Sequence, residues 1–214
     1  MDSKETSTGS RRHIQKEETR KIILDRSREL FNELGFDKTS TRAIATRAGV
    51  GVGTVFSHFP DKSSLLIAAL LDDLTSTQAN AMKSMPKDAN VGDRFLHLAR
   101  FFYTYYSKRP DLSRTLLKEL WFVKGEWGGK LTTQAFEFVL LVRNMLEQAK
   151  ERKEIRPEAD TLLCARAFFS HYLIVLYEGL NSSEVDVKNM LDTLKGMLNQ
   201  LLTGVGKTID IKGK

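Results

Sequence analysis

Residues 40–62 read S-T-R-A-I-A-T-R-A-G-V-G-V-G-T-V-F-S-H-F-P-D-K, from Ser40 to Lys62. The spacing predicts helix, tight turn, helix, stop. Thr41 to Ala48 forms a short helix with Ala43, Ile44 and Ala48 on its apolar face, and with Ala45 where a neighbouring helix must come close. Gly49 ends it, because glycine takes the left-handed turn conformation at little cost. Val50 plugs the angle between the helices. Val52 to Phe59 is the second helix, with Val52, Val55 and Phe59 inward at helical spacing. Gly53, Thr54, Phe56, Ser57 and His58 face out. Counted from Thr41, a small residue falls fifth, glycine ninth, and apolar residues tenth, twelfth and fifteenth. Two helices crossing steeply over a short turn need that pattern, and the second can then lie in a DNA major groove. A plain helical hairpin with a glycine cap fits the spacing equally well.

The tail of the stretch separates the two. G-T-[apolar]-[Tyr/Phe]-x-H-F-x-x-K, following A-x-x-A-G-V, resembles the signature of the tetracycline-repressor (TetR) family of bacterial transcription factors. Gly53, Thr54, Val55, Phe56, His58, Phe59 and Lys62 carry the match. Upstream, a helix ending Leu34-Gly35-Phe36 and then Thr39-Ser40-Thr41 agree with it. The likeness covers roughly residues 17–66, and the remainder fits the family in length and helical character only. It implies an N-terminal DNA-binding head, a helical ligand-binding and dimerisation domain, and a small-molecule inducer.

Composition agrees with a globular chain. Hydrophobic residues make up 41% and aromatic residues 9%, and the formal net charge is +6. Residues 1–65 carry 12 Lys and Arg against 9 Asp and Glu, a surplus compatible with a phosphate-facing head. The longest apolar run, near Ala167 to Tyr177, is broken by Ser170 and His171 and is too short to span a bilayer. No charged-then-apolar leader opens the sequence, so no signal peptide is expected. The single cysteine, Cys164, excludes an intrachain disulfide framework and suits a cytoplasmic location, and its apolar surroundings suit a buried structural thiol.

The expected organisation is a disordered arm over 1–13, a helix-turn-helix domain over 14–60, a connecting helix over 61–85, a ligand-binding and dimerisation domain over 86–205, and a tail over 206–214. In the arm, Arg11 and Arg12 are candidates for DNA backbone or minor-groove contact, or simply solvated. Glu17 to Leu34 is an amphipathic helix whose buried face is Ile22, Ile23, Ser27, Leu30, Phe31 and Leu34. Pro60 stops the second short helix and Asp61 caps the connecting one, which docks through Leu65, Leu66, Ala69 and Leu70. Further helices are expected near 91–107, 111–123, 129–153, 158–180 and 184–203, punctuated by Pro86, Pro110, Pro157 and glycines. No segment alternates with period two, so the fold is all-α with about nine helices.

Between Val50 and Phe59 there is no Arg, Lys, Asn or Gln, the side chains that pair with base edges. Base readout there is expected to be modest, through Gly51, Val52, Gly53 and Thr54, with Arg42 and Thr41 as the better candidates for a base or phosphate contact. Thr39, Thr41, Phe56, His58 and Lys62 are the expected phosphate anchors. The family usually has Tyr where Phe56 stands, which removes one hydrogen bond. His13, His58, His97 and His171 share no ligand spacing, and no metal or cofactor is expected.

Helix-turn-helix proteins normally bind as dimers, and the 158–203 region offers two apolar stripes. Leu162, Leu163, Phe169, Tyr172, Leu173, Leu176, Tyr177 and Leu180 mark one, and Val187, Met190, Leu191, Leu194, Met197, Leu198, Leu201 and Leu202 the other. Their pairing as an intermolecular four-helix bundle follows the resemblance; service in the chain's own core is the alternative. Gly196 suggests a close helix crossing. Over half of the aromatic residues lie between Phe95 and Phe138. Trp121, Phe122 and Trp127 around a glycine-containing loop, with Phe95, Phe101, Phe102 and Phe138, are expected to wall an effector cavity. His97, Tyr105, Gln134 and Arg143 are its candidate polar groups. The expected function is a ligand-responsive transcriptional repressor on a palindromic operator, released when the effector swings the connecting helix. The alternatives are an activator of the same family or a helical scaffold. No nucleophile–base pair supports an enzyme.

Overall fold

The computed structural model describes residues 5–122 and 125–204, with side chains described over 11–118 and 125–204. Among these residues there are nine helices and no strand. None of the helices is long and apolar enough to cross a membrane. The chain divides into two compact units. One holds the residues up to Asp73 together with Arg114–Leu131, and the other holds Leu74–Ser113 and the residues from Thr132 on. The first therefore takes in Arg114–Leu131, a segment of the expected 86–205 ligand-binding and dimerisation domain.

In the first unit, α1 (Glu5–Leu34), α2 (Thr41–Ala48), α3 (Val52–His58) and the first part of α4 (Lys62–Lys83) build one core. Ile23, Leu24, Leu30 and Phe31 of α1 are buried with Ile44, Ala45, Val55, Phe59 and the run Leu65 to Leu70. Ile22 and Leu34, expected inside, are exposed. Ile22 lies about 100° round the helix from Ile23, off the buried stripe. Leu34 is on the stripe but is the last residue of the helix. The arm expected to be disordered is helical from Glu5, continuous with α1, and every side chain from Arg11 to Glu18 is exposed. Those turns extend the helix without adding to the core.

The caps follow the sequence closely. The Ser40 hydroxyl accepts from Ala43 N at 3.1 Å. Gly49 closes α2 at φ 68°, with its N–H donated to Thr46 and that of Val50 to Ala45. This is the left-handed stop that glycine makes inexpensive. The Asp61 carboxylate accepts from Ser64 N at 2.6 Å. Arg28 joins α1 to α4, donating to the Ala69 carbonyl at 2.8 Å and to Asp72 at 2.9 Å.

In the second unit, α5 (Val91–Ser107), α8 (Thr161–Asn181) and α9 (Val187–Thr203) pack with the later turns of α7 (Gly125–Glu151). Asn90, Asp160 and Asp186 cap α5, α8 and α9. Helix α6 (Pro110–Phe122) begins on its proline, whose missing N–H costs nothing at a first helical position. Within the chain the close crossing is at Gly179, where a Cβ would lie 2.6 Å from Met190 Sδ; at Gly196 no described residue of the chain comes within 4 Å of one.

Candidate nucleic-acid interface

The helix-turn-helix is held by two side chains expected to contact DNA, Thr39 and Lys62. Thr39 is only 1% exposed, and its hydroxyl lies 2.7 Å from the Gly35 carbonyl and 3.1 Å from that of Leu30. It ties the end of α1 to the start of α2 and faces no solvent. The Lys62 ammonium donates to the carbonyls of Phe36 (2.9 Å), Thr39 (3.2 Å) and Asp37 (3.4 Å), and sits 4.2 Å from the centroid of the Phe36 ring. Its three donors thus close the α1–α2 loop, and the expected phosphate anchor is a clamp within the head. The physical reason is the loop itself, whose carbonyls need donors that no helix supplies.

What remains outward is compact. Arg42, Gly51 and Gly53 are exposed, and Thr41, Val52 and Thr54 are partly so. Phe56, on the outer side of α3, is 50% exposed. A Cβ at Gly53 would meet nothing within 4 Å, and one at Gly51 only Thr54 Oγ1 at 3.8 Å, so the face is open to close approach by another backbone. From Lys38 to Pro60 there is no Asp or Glu. Arg47 is turned away into a paired contact with Glu33, both bonds at 3.0 Å. His58 is partly buried. Burial, and then the Lys16 and Arg20 charges, hold its pKa below the ordinary value, partly offset by Glu17. This face can take a polyanion against neutral hydroxyls, an open glycine backbone and one guanidinium, with an aromatic ring for sugar or thymine-methyl contact.

The expected effector residues scatter. Phe95 lies tilted against Phe168 with ring centroids 4.6 Å apart, and Phe102 meets Phe138 edge-on at 5.2 Å. Tyr172 lies against Phe138 and stacks on Tyr103, whose hydroxyl donates to the Tyr172 carbonyl at 3.0 Å. These rings are packed core. Burial raises the pKa of Tyr103 far above the ordinary phenol value and pushes that of Tyr106 up to about 12. His97 sits 3.1 Å from both the Ala81 carbonyl and Ser84 Oγ, with its ring against Phe101. Tyr105 lies edge-on to Tyr106, and Arg143 is half-buried. Trp127 is not on a loop but in the first turn of α7, within the first unit. The Trp121 side chain and the 206–214 tail lie outside the described residues.

Among the described residues of the second unit, two buried polar atoms have no hydrogen-bond partner, Gln134 Oε1 and His171 Nδ1. Gln134 is one of the candidate polar groups named for an effector cavity. His171 was read only against metal spacing, though a histidine interrupting an apolar helix face was the available signal. A separate open groove of about 890 Å³ lies among Leu146, Lys150, Ile155, Arg156, Cys164 and Leu201. None of the expected effector residues lines it.

The dimer stripes divide as well. Tyr172, Leu176, Leu191, Leu194 and Leu198 are buried within the chain, while Phe169, Leu173 and Leu201 are only partly covered. The exposed apolar residues of α8 are Leu163 at 64%, Ile174 at 41% and Tyr177 at 59%. Both faces of α8 are apolar, one spent on the chain's own core and the other exposed.

The profile of bacterial regulatory proteins, tetR family, matches residues 23–69, which carry this head. The transcriptional repressor KstR of Mycolicibacterium smegmatis is 42% identical over 177 residues, spanning 82% of this chain and 84% of that protein. The chain belongs to the TetR family. The regulator UidR of Escherichia coli K12 is 37% identical, over 69% of this chain and 74% of its own. Among solved structures, the Thermus thermophilus TetR-family repressor FadR in complex with lauroyl-CoA superposes with a TM-score of 0.72 at 20% identity, covering 91% of this chain and all of that one. That likeness confirms the all-α fold. As a TetR-family member, the chain is a DNA-binding transcriptional regulator.

Proposed function

We propose that the chain acts as a cytoplasmic homodimeric repressor, released from a palindromic operator by a small apolar effector, and that it acts by binding without catalysis. The outward face of α2 and α3 carries this reading: Arg42, Thr41, Thr54 and Phe56 beside open glycines, in a stretch free of carboxylates. Arg42 is the principal phosphate or base contact. Thr41, Thr54, Gly51, Gly53 and Val52 read shape and thymine methyls, and Phe56 and His58 lie along the backbone. Thr39 and Lys62 act only by holding the fold.

The dimer uses the outer face of α8, Leu163, Ile174 and Tyr177, with the bare Gly196 of α9 allowing close approach by the partner's helices. Phe169, Leu173 and Leu201 complete it at the edges. Two heads so paired address half-sites about 34–36 Å apart. The effector sits among the second unit's helices, where Gln134 Oε1 and His171 Nδ1 each lack a partner. Both are suited to meet a polar group of an otherwise apolar molecule. Acyl thioesters are the first class to test, because the Thermus thermophilus repressor of the same fold was solved with lauroyl-CoA. Release follows from an effector that favours one setting of α4 over another.

The deciding experiment is a mobility shift on the DNA upstream of the chain's own gene, and on duplexes selected from a random pool, with and without lauroyl-CoA. A specific shifted complex is expected, weakened by the effector. Failure to select any duplex would overturn the DNA reading. Failure of the acyl thioester alone would overturn only the effector class.

A further inference from the structure

The recognition helix α3 has seven residues and one buried side chain, Val55, before its cap residue Phe59. Two turns of helix are not stable alone, so their direction is set by what they pack on. Phe59 is fully buried. One of the rings it meets belongs to Trp127, far along the chain, with centroids 5.5 Å apart. Trp127 is itself only 5% exposed. The Arg20 guanidinium of α1 lies 5.4 Å from the Trp127 ring centre and 5.7 Å from that of Phe59. Lys130 lies 4.1 Å from the same Trp127 ring and is itself held by Glu126 at 2.7 Å. The indole is therefore flanked by two cations and joined to the end of α3. All of these residues belong to the first unit.

We propose that Trp127 is a positioning residue for the recognition helix, so that the DNA-binding unit includes the start of α7 and is not confined to the N-terminal helices. Trp127 touches no DNA. It acts through Phe59, fixing the pitch of α3 and with it the outward aim of Thr54 and Phe56. Arg20 ties that contact to α1, whose other turns form the floor of the helix-turn-helix. The inference rests on the DNA-binding reading and specifies which residues outside the head it depends on.

The test uses the full chain and a duplex that the unaltered protein selects from a random pool. Trp127→Ala should weaken that duplex by about tenfold, the scale of an aromatic pair lost together with a desolvated cation–π contact. The slope of log affinity against log salt should stay unchanged, because no phosphate contact is removed. Trp127→Phe should restore most of the affinity. Where Trp127→Ala fails to fold, Trp127→Phe and Phe59→Leu carry the test as a double-mutant cycle. Their combined loss should fall short of the product of the single losses. Independent losses, a reduced salt slope, or full affinity in a folded Trp127→Ala protein would each overturn the proposal. A wild-type protein that selects no duplex would instead overturn the DNA reading itself.

Discussion

The glycine-hinged head and the aromatic core of the second unit arrange their side chains in opposite ways. In the head, polar groups turn inward. The Thr39 hydroxyl and the Lys62 ammonium satisfy backbone carbonyls of the α1–α2 loop, while a phenyl ring, Phe56, stands half in solvent. In the second unit the rings of Phe95, Phe102, Tyr103, Phe138, Phe168 and Tyr172 are inside, packed on one another, while Phe136 and Tyr177 are exposed, and among the described residues two buried polar atoms are left without partners. On the proposed function, Phe56 belongs to the DNA face of the head, and the buried amide and imidazole of Gln134 and His171 to the effector site of the second unit. Residue type without exposure misleads in both units.

The largest effect expected is on assembly. If the outer face of α8 pairs two chains, Leu163→Glu with Tyr177→Lys should convert a dimer to a monomer by sedimentation. Operator affinity should then fall by about 10²–10⁴-fold, because the second head is no longer tethered. A change of the buried Leu194 should instead cost the monomer's stability, by about 2–5 kcal/mol for Leu→Ala. A dimer that survives the α8 pair would remove the distinction drawn between the two faces.

Next is the clamp. Lys62→Ala should destabilise the fold by about 2 kcal/mol, the scale of charged hydrogen bonds to partly buried carbonyls. Thermal melts should register it, and the salt slope of DNA binding should not change. Arg42→Ala should do the reverse. It should leave the melt alone, weaken DNA by several-fold and lower the salt slope by about one. If Lys62→Ala lowers the slope instead, the ammonium is a phosphate contact and the head is organised as the motif first suggested.

Those two residues show what the sequence could tell. Helix order, the Gly49 stop, the Ser40 and Asp61 caps and the buried Val55 and Phe59 follow from local chemistry: a left-handed turn, a side chain three residues from an N–H, an apolar period. They were all readable. The motif also placed Lys62 and Thr39 correctly in the chain, but a motif records that a residue is needed without recording whether it faces in or out. The direction depends on where the carbonyls of residues 35–39 end up, which is a tertiary fact. The same holds for Trp127. A tryptophan beside glycines reads as a loop wall, and nothing local announces that its neighbour is Phe59. On α8, both faces are apolar, so periodicity could not choose between core and partner.

A smaller effect should come from the unpartnered amide. Gln134→Leu removes a buried acceptor that has no donor, so stability should stay level or rise by about 1 kcal/mol. Effector release of the operator should be lost. A destabilised variant would mean that Gln134 already has a partner and is no part of a ligand site.

The smallest effect separates burial from charge at the edge of the recognition helix. His58 titrates below its ordinary value of 6.5, first because it is partly buried and then because Lys16 and Arg20 stand nearby. The folded head therefore binds fewer protons at this site than the unfolded chain does. The stability this contributes is complete above the unfolded value and is lost as pH falls from there through the folded one. Melting temperatures taken from pH 8 down to pH 5 should fall more steeply for the wild type than for His58→Gln. The gap should open only below about pH 6.5 and should stay small, because the ring is only partly buried and solvent screens its charge. A phosphate placed beside the ring would favour its charged form, so saturating duplex DNA should shrink the gap. Were the gap to open in the opposite direction, an anionic neighbour such as Glu17 would be governing His58, and the ring would belong to the head's internal pairing and not to its DNA face.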